Sequence, residues 1–516
     1  MGARARSARR GRDRRRGRAR ARRRARPARE RRPLRPAARC VRSARASRTI
    51  GATRRAVAVD CGSAPPAGAS VHDAAISPRT HVAYGVPIFA VAYLLFFVQF
   101  YFLKFATDEL LLAPALVSVL FGAAKLWDGV SGPLIGSWSD RTRSRFGRRR
   151  PFLFAALPLL CFGFVMLWTP PAALGGTWLV LWMGVALFVF FTAFDLYSLP
   201  HMALGAELST DSHERTRLFA VRQISFTIGI LLAFGGIQIA MNAAEPRSAA
   251  AMLAVPASLV AALLLAVTPL AVREPLRADR RGGRGMLPAL RDVLSTSAAR
   301  RLLGVQFVEA AGVGAVGTMG PYIAEYLLRR PEVVGLLPAA YVISGVLAVP
   351  LWVRIARARG KRATWIAAML LAAGAFGGIW TVGEGDFPLL MALLVVAGAA
   401  MGCGGVLGNA LLADVIDLDE RRTGERKEGV YSAAMMLVVK GGTALALAAS
   451  GPIMTVTGFA PNVAQTETSL LGIRILFAGM PCAGFLIGAW MFRGFALEVL
   501  PAPAPAAAAV KAPSTP

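Results

Sequence analysis

Four ionisable residues stand inside long apolar runs: Asp128, Asp195, Glu309 and Lys440. Counted from the polar end of each run, Asp128 lies 12 residues from Asp140, Asp195 lies 12 from Glu207, and Lys440 lies 11 from Gly429. At about 1.5 Å per helical residue these three are roughly 16–18 Å deep, near the middle of a hydrocarbon core about 30 Å thick. Glu309, eight residues past Arg301, lies at roughly 12 Å on the same count. A charge at the midplane costs at least about 2.5–3.5 kcal/mol unless it is paired or faces water. The run around Lys440, "YSAAMMLVVKGGTALALAAS", is otherwise neutral, so its partner must come from another helix. Asp128 and Asp195 are the candidates, with Lys125 one turn before Asp128 as a competing local partner. Two carboxylates and one ammonium at one depth can bind a cation, or exchange a proton, when a neighbour moves. A purely structural ion pair is the alternative, but buried pairs are poor stabilisers.

The elements that must position these groups follow from composition. Of the 516 residues, 55% are hydrophobic and 17% charged, far from the roughly 25% charge of soluble domains. Apolar spans recur near residues 82–105, 113–137, 151–171, 177–205, 218–241, 249–272, 302–327, 333–355, 363–382, 387–413, 430–457 and 469–492. Each must be a helix, because a bilayer core leaves the backbone no other partner. The expected fold is an all-α membrane protein with twelve transmembrane helices in two pseudo-symmetric six-helix bundles. The bundles would cover 81–272 and 302–495, joined by a central cytoplasmic loop at 273–301 and followed by a disordered Pro/Ala tail at 496–516. Counting Lys104 and Arg354 with the loops they border, one side carries 25 lysines and arginines and the other 4. The positive-inside rule then puts both termini in the cytoplasm of a multi-pass inner-membrane protein.

Residues 1–80 form a separate, disordered segment. Its first 70 residues hold 24 arginines against Asp13, Glu30 and Asp60, with almost no large apolar side chains to build a core. The composition fits GC-rich upstream DNA read in frame, with Val71 a candidate start. A targeting peptide, or a tail binding nucleic acid or anionic lipid, are the other readings. The five cysteines and four histidines show no metal-ligand spacing, so no metal and no cofactor are expected. No nucleophile–base set occurs at any membrane depth, which argues against an enzyme.

The halves echo one another. "FGRRRPF" opens the third span and "RGKRATW" the ninth; "ALGAELSTDSHERTRL" leads into the fifth and "LLADVIDLDERRTGERKEGV" into the eleventh. Loops repeating six helices apart are what two parallel repeats about an axis along the membrane normal produce, the architecture of the major facilitators. Within it, "KLWDGVSGPLIGSWSDRTRSRFGRRRPF", "PHMALGAELSTDSHERTRL", "LLADVIDLDERRTGERKEGVYSAAMMLVVKGG" and "GFAPNVAQTETSLLGIRILFAGMP" resemble the glycoside–pentoside–hexuronide:cation symporters, the melibiose-permease branch. The resemblance covers about residues 80–495.

That resemblance implies alternating access driven by co-transport of Na⁺ or H⁺ with a glycoside-like solute, in a monomer that contacts its substrate and the bilayer but no nucleic acid. Its cation site would carry over to Asp128 and Lys440. The family's second acid on helix 2 falls at Gly132, and the helix-4 hydroxyl position holds Asp195, so a carboxylate has moved from one helix to the other while the charge count stays the same. On the sugar side, the helix-1 acid aligns with Ala92 and two aromatic positions fall near Met202 and Gly405. Arg222 is retained and, with Glu309 and Lys125, makes up the expected substrate-facing set. The loop residues Asp140, Arg141, Arg148, Glu207, Arg215, Asp414 and Arg426 are expected to form a cytoplasmic gate. Two alternatives stay open: an uncoupled uniporter or exporter of an apolar or lipid-like compound, suggested by Gly132, and a membrane-anchored protein whose arginine-rich N-terminus binds nucleic acid or a partner.

Overall fold

The structure is a computed structural model that describes residues 76–209, 211–274, 291, 293–424 and 427–495. The arginine-rich segment up to residue 75, most of the central loop, Arg426 and the Pro/Ala tail lie outside the described residues. Twelve rods follow in order: α1 Pro78–Glu109, α2 Pro114–Arg141, α3 Arg150–Trp168, α4 Gly176–Glu207, α5 His213–Met241, α6 Pro246–Ala271, α7 Ser297–Leu327, α8 Pro331–Arg359, α9 Lys361–Ile379, α10 Phe387–Thr423, α11 Glu428–Val456 and α12 Glu467–Phe492. Eleven of them are long and apolar enough to cross a membrane. The other, α2, has the length at 28 residues, but Lys125 and Asp128 dilute its apolar character. α7 starts at Ser297, inside the stretch expected to be loop.

Local chemistry sets the rod ends. Prolines in the first turn start α1, α2, α3, α6 and α10, where a missing N–H costs nothing. Ser77 caps α1 by accepting the Thr80 N–H at 3.2 Å. Apolar side chains such as Met252, Leu259 and Leu263 of α6 and Leu347 of α8 stand exposed, as a lipid-facing surface requires.

The internal repeat is clearer in the backbone than in the side chains. α1 and α7 both finish in a π-helical turn, at Phe105–Glu109 and Ile323–Leu327. Each turn is followed two residues on by a non-glycine residue with positive φ, Leu111 at 52° and Arg329 at 53°. Aromatic contacts also knit each half together. In the first, Trp168 of α3 meets Phe97 and Phe105 of α1 at 4.8 and 5.0 Å between centroids. In the second, Trp365 of α9 meets Phe492 of α12 at 4.9 Å.

The halves join chiefly along α2 and α11. Gly122 allows this approach: a Cβ there would stand 2.6 Å from the Ala448 Cβ. The Gly451 N–H donates to Ser118 Oγ at 3.0 Å. In lipid, where burying apolar surface drives no helix association, such close packing and hydrogen bonding hold helices together. Contact runs from Pro114 and Gly451 at one end to Gly129 and Lys440 midway, where a Cβ on Gly129 would meet the Lys440 Cβ at 3.4 Å. Nearer the arginine-rich loops, called the basic end below, Gly136 of α2 and Gly429 of α11 face nothing within 4 Å. The two helices therefore splay apart toward the basic end.

Candidate functional site

Midway along the α2–α11 seam, the Lys440 ammonium crosses from the C-terminal half into the N-terminal half. It donates to Asp128 Oδ1 at 2.7 Å, to the Asp128 carbonyl oxygen at 2.8 Å and to Asp195 Oδ1 at 3.2 Å. Its three N–H bonds thus meet three oxygens. The remaining carboxylate oxygens are also engaged: Lys125 donates to Asp128 Oδ2 at 3.1 Å, and the Ser131 hydroxyl to Asp195 Oδ2 at 2.6 Å. Both aspartates are almost completely buried. Two ammoniums balance two carboxylates, which removes most of the cost of burying either sign. The Lys125 ammonium also sits 4.6 Å from the centroid of the Phe191 ring, so it belongs to this cluster and does not stand free toward a solute.

Gly132 faces the same cluster. A Cβ built there would lie 3.5 Å from Asp195 Oδ2. Residue 132 of α2 therefore adjoins the carboxylate that α4 supplies.

The other residues expected to face substrate lie elsewhere. Arg222 of α5 adjoins a buried stack of Tyr84 and His201, whose rings are 4.2 Å apart. The Arg222 Nε is buried with no hydrogen-bond partner. Glu309 is 7% exposed and neighbours the Trp365 indole, apart from the Asp128 cluster. A cavity of about 300 Å³ lies between α1 and the C-terminal half, lined by Gln99, Phe100, Gly317, Tyr341, Met401 and Thr443 among others.

At the basic end the charges form latches within each half. Arg148 and Arg149 each reach Glu207 at 3.0 Å, and Arg149 reaches Asp140 at 2.5 Å. Glu274, which sequence reasoning passed over, accepts the Arg149 N–H at 2.9 Å and lies 3.5 Å from Arg148. Gly147, at φ +103°, is needed here, because a Cβ would collide with the Glu274 carboxylate. Burial works against the charge on Arg148, but Glu207 and Glu274 outweigh it and hold the guanidinium above its ordinary range. Lys361 pairs with Asp414 at 2.6 Å inside the C-terminal half. Arg141 and Arg215 are exposed and enter none of these pairs.

The opposite end carries an ion network that sequence reasoning missed. Lys104 of α1 pairs with Asp108 one turn on, and with Glu325 of α7 at 2.8 Å. Asp108 accepts from Tyr326 of α7 and from Thr107 at 2.5 Å, and its carbonyl accepts from the Asn462 side chain at 2.8 Å. The Lys104 ammonium lies 4.4 Å from the Tyr326 ring centroid. The i,i+4 spacing of Lys104 and Asp108 was visible in sequence, but their partners on α7 were not. Asp108→Asn removes the carboxylate that accepts from Tyr326 of α7 and weakens the tie between the halves. In a background with the native cysteines replaced, a cysteine placed at Gln99 should then react from this side about tenfold faster or more with a membrane-impermeant thiol reagent, a shift of ~1.4 kcal/mol or more. An unchanged rate would mean that the network does not hold this end shut.

Comparison with known proteins agrees with this architecture. The chain is 27% identical over 450 residues to a putative sulfoquinovose importer of Salmonella typhimurium, covering 81% of this chain and 89% of that one. It is 23% identical over 441 residues to the isoprimeverose transporter of Lactiplantibacillus pentosus, covering 81% and 88%. An uncharacterized symporter of Synechocystis is 25% identical over 503 residues, covering 79% and 92%. Among solved structures, the nucleoside transporter NupG superposes with a TM-score of 0.63 at 13% identity, over 80% of this chain and all of that one. A bacterial homologue of the lysosomal transporter Spinster gives 0.59 at 14%, over 81% and 95%. These two likenesses speak to the fold. The family described as MFS/sugar transport protein matches residues 83–498; the chain is therefore a multi-pass membrane transporter belonging to that family, and not an enzyme.

Proposed function

We propose that the protein is a secondary active symporter, working as a monomer in the inner membrane with its basic end in the cytoplasm, that couples Na⁺ or H⁺ to a glycoside-like solute. The observation that carries this reading is the Lys440 ammonium held between Asp128 and Asp195. The N-terminal half alone brings two carboxylates and one ammonium, a deficit of one positive charge. Lys440 fills that deficit from the other half, and a monovalent cation can fill it when the halves rock and Lys440 withdraws. Exchange of this kind ties the cation to the conformational change, which is what coupling requires. α2 and α11 splay toward the basic end while the Lys104 network ties the opposite end, consistent with a state open to the cytoplasm.

For the solute, the cavity between α1 and the C-terminal half, with Gln99, Tyr341 and Thr443 among otherwise apolar walls, supports a small organic compound with a few polar groups. Relatives named for isoprimeverose and for sulfoquinovose suggest a disaccharide and a sulfonated sugar as first probes. Right-side-out vesicles would be given each labelled probe with a Na⁺ gradient, with a proton gradient, and with neither. Accumulation should follow one gradient, and in Asp128→Asn it should fall to simple equilibration. Equilibration in the wild type under all three conditions would point to an uncoupled carrier.

A further inference from the structure

Of the four ionisable residues inside the apolar runs, Glu309 is the one that the cluster around Lys440 does not use. It sits in the middle of α7, 7% exposed, between the Trp365 indole of α9, Gly404 of α10 and Gly488 of α12. A Cβ at Gly404 would lie 3.4 Å from Trp365 Nε1 and 3.9 Å from Glu309 Oε2, and one at Gly488 would lie 3.6 Å from Glu309 Cγ. Both helices thus pass within ordinary contact distance of the glutamate side chain.

Among the described residues no cation pairs with it. On its own helix, Arg300 and Arg301 donate to backbone carbonyls of residues 294, 295 and 494. On α9, Lys361 is bound to Asp414 and Arg362 to the Arg493 carbonyl. The Asp414 carboxylate of α10 is the one that Lys361 holds, and α11 offers Lys440, already held by Asp128 and Asp195. α12 has no acid or base between Met480 and Phe492. The other titratable neighbours, Tyr341 and Cys403, are neutral. A lone carboxylate in such surroundings loses several kcal/mol of solvation, whereas the acid form loses far less.

A cavity comes close to the site. Val313, one turn along α7 from Glu309, lines the central cavity together with Tyr341 and Met401. Just beyond Val313, α7 breaks at Gly314 and Ala315 and resumes at Val316, a point where the helix can bend.

We propose that Glu309 is a proton-binding site of the C-terminal half, distinct from the Lys440 cluster. It carries a proton in the state described and, when the cavity hydrates, breaks its O–H bond to leave a carboxylate and pass the proton to water. This rests on membership of the transporter family but not on cation coupling at Asp128.

The test uses the purified full-length protein and dicyclohexylcarbodiimide, an apolar reagent that adds to protonated carboxyls and leaves a stable acylurea that peptide mapping can locate. Glu309 should be labelled in mildly acidic buffer, with labelling falling severalfold toward alkaline pH. Asp128, whose two carboxylate oxygens meet the Lys440 and Lys125 ammoniums, should remain unlabelled. Asp128→Asn should leave the Glu309 profile unchanged, so failure of the coupling reading would not be mistaken for failure of this one. Glu309→Gln should lose both the adduct and a carboxylic C=O stretching band that shifts in D₂O. If Glu309→Gln does not assemble, the wild-type profile alone decides. No adduct at Glu309, or labelling independent of pH, overturns the proposal.

Discussion

Replacing Lys440 with methionine should abolish gradient-driven accumulation and destabilise the protein by about 3–5 kcal/mol, the range for leaving one side of a buried ion pair uncompensated. The substitution keeps the length of the side chain but removes the three N–H donors that meet Asp128 Oδ1, the Asp128 carbonyl and Asp195 Oδ1. Two buried carboxylates would then share the single ammonium of Lys125. Adding Asp195→Asn to this variant should return most of the stability, because Asp128 and Lys125 form a neutral pair by themselves. It should not return accumulation, because no group then exchanges with the cation. The measurement is a double-mutant cycle on unfolding in detergent, with an expected interaction of about 1–3 kcal/mol, run beside uptake into vesicles. Additive losses would show that Lys440 and Asp195 do not share a charge, contrary to their 3.2 Å separation.

The second large effect concerns the carboxylate that the family resemblance expects on α2 and that this chain carries on α4. Asp195→Ser should lose accumulation, and adding Gly132→Asp should restore it. A carboxylate on residue 132 would reach the Asp195 site from α2, since a Cβ there would lie 3.5 Å from Asp195 Oδ2. Gly132→Asp alone should do the opposite. It sets a third carboxylate against Asp195, with only two ammoniums for three acids, and a like charge so close is strongly unfavourable. That single variant should be less stable than either Asp195→Ser or the pair. If the pair stays inactive while folding normally, the two positions are not interchangeable, and the cation site depends on α4 for more than its charge.

Much of the architecture was legible along the chain because a bilayer imposes a local rule. Every crossing must be a helix about as long as the core is thick, so apolar runs and their proline starts disclose the rods. The spans expected at 113–137 and 430–457 differ from α2 and α11 by only a few residues. Depth was legible for the same reason, since a residue's distance from the end of its rod converts directly into ångströms.

Pairing was legible only in part. The need of Lys440 for a carboxylate on another helix could be argued from its neutral surroundings, but not how its ammonium divides between two acids. Lys125 was readable as a partner of Asp128 one turn away, and the two do pair, while Ser131 carried no signal beyond being a polar residue one turn from a charge. At the far end, Lys104 and Asp108 were one turn apart in plain view, yet their partners Glu325 and Tyr326 come from a helix more than 200 residues later.

The sequence by itself thus determined the number, length and depth of the helices, the charges buried among them and the family they resemble. Each of these follows from spacing along one rod. The tertiary structure alone decided that Gly132 faces Asp195, that Lys440 bridges two halves, and that Glu309 is left without a cation. Those outcomes depend on how each helix is rotated and shifted against its neighbours. Shape-specific packing of small residues sets that arrangement within the membrane, and a single rod's hydropathy carries no record of it.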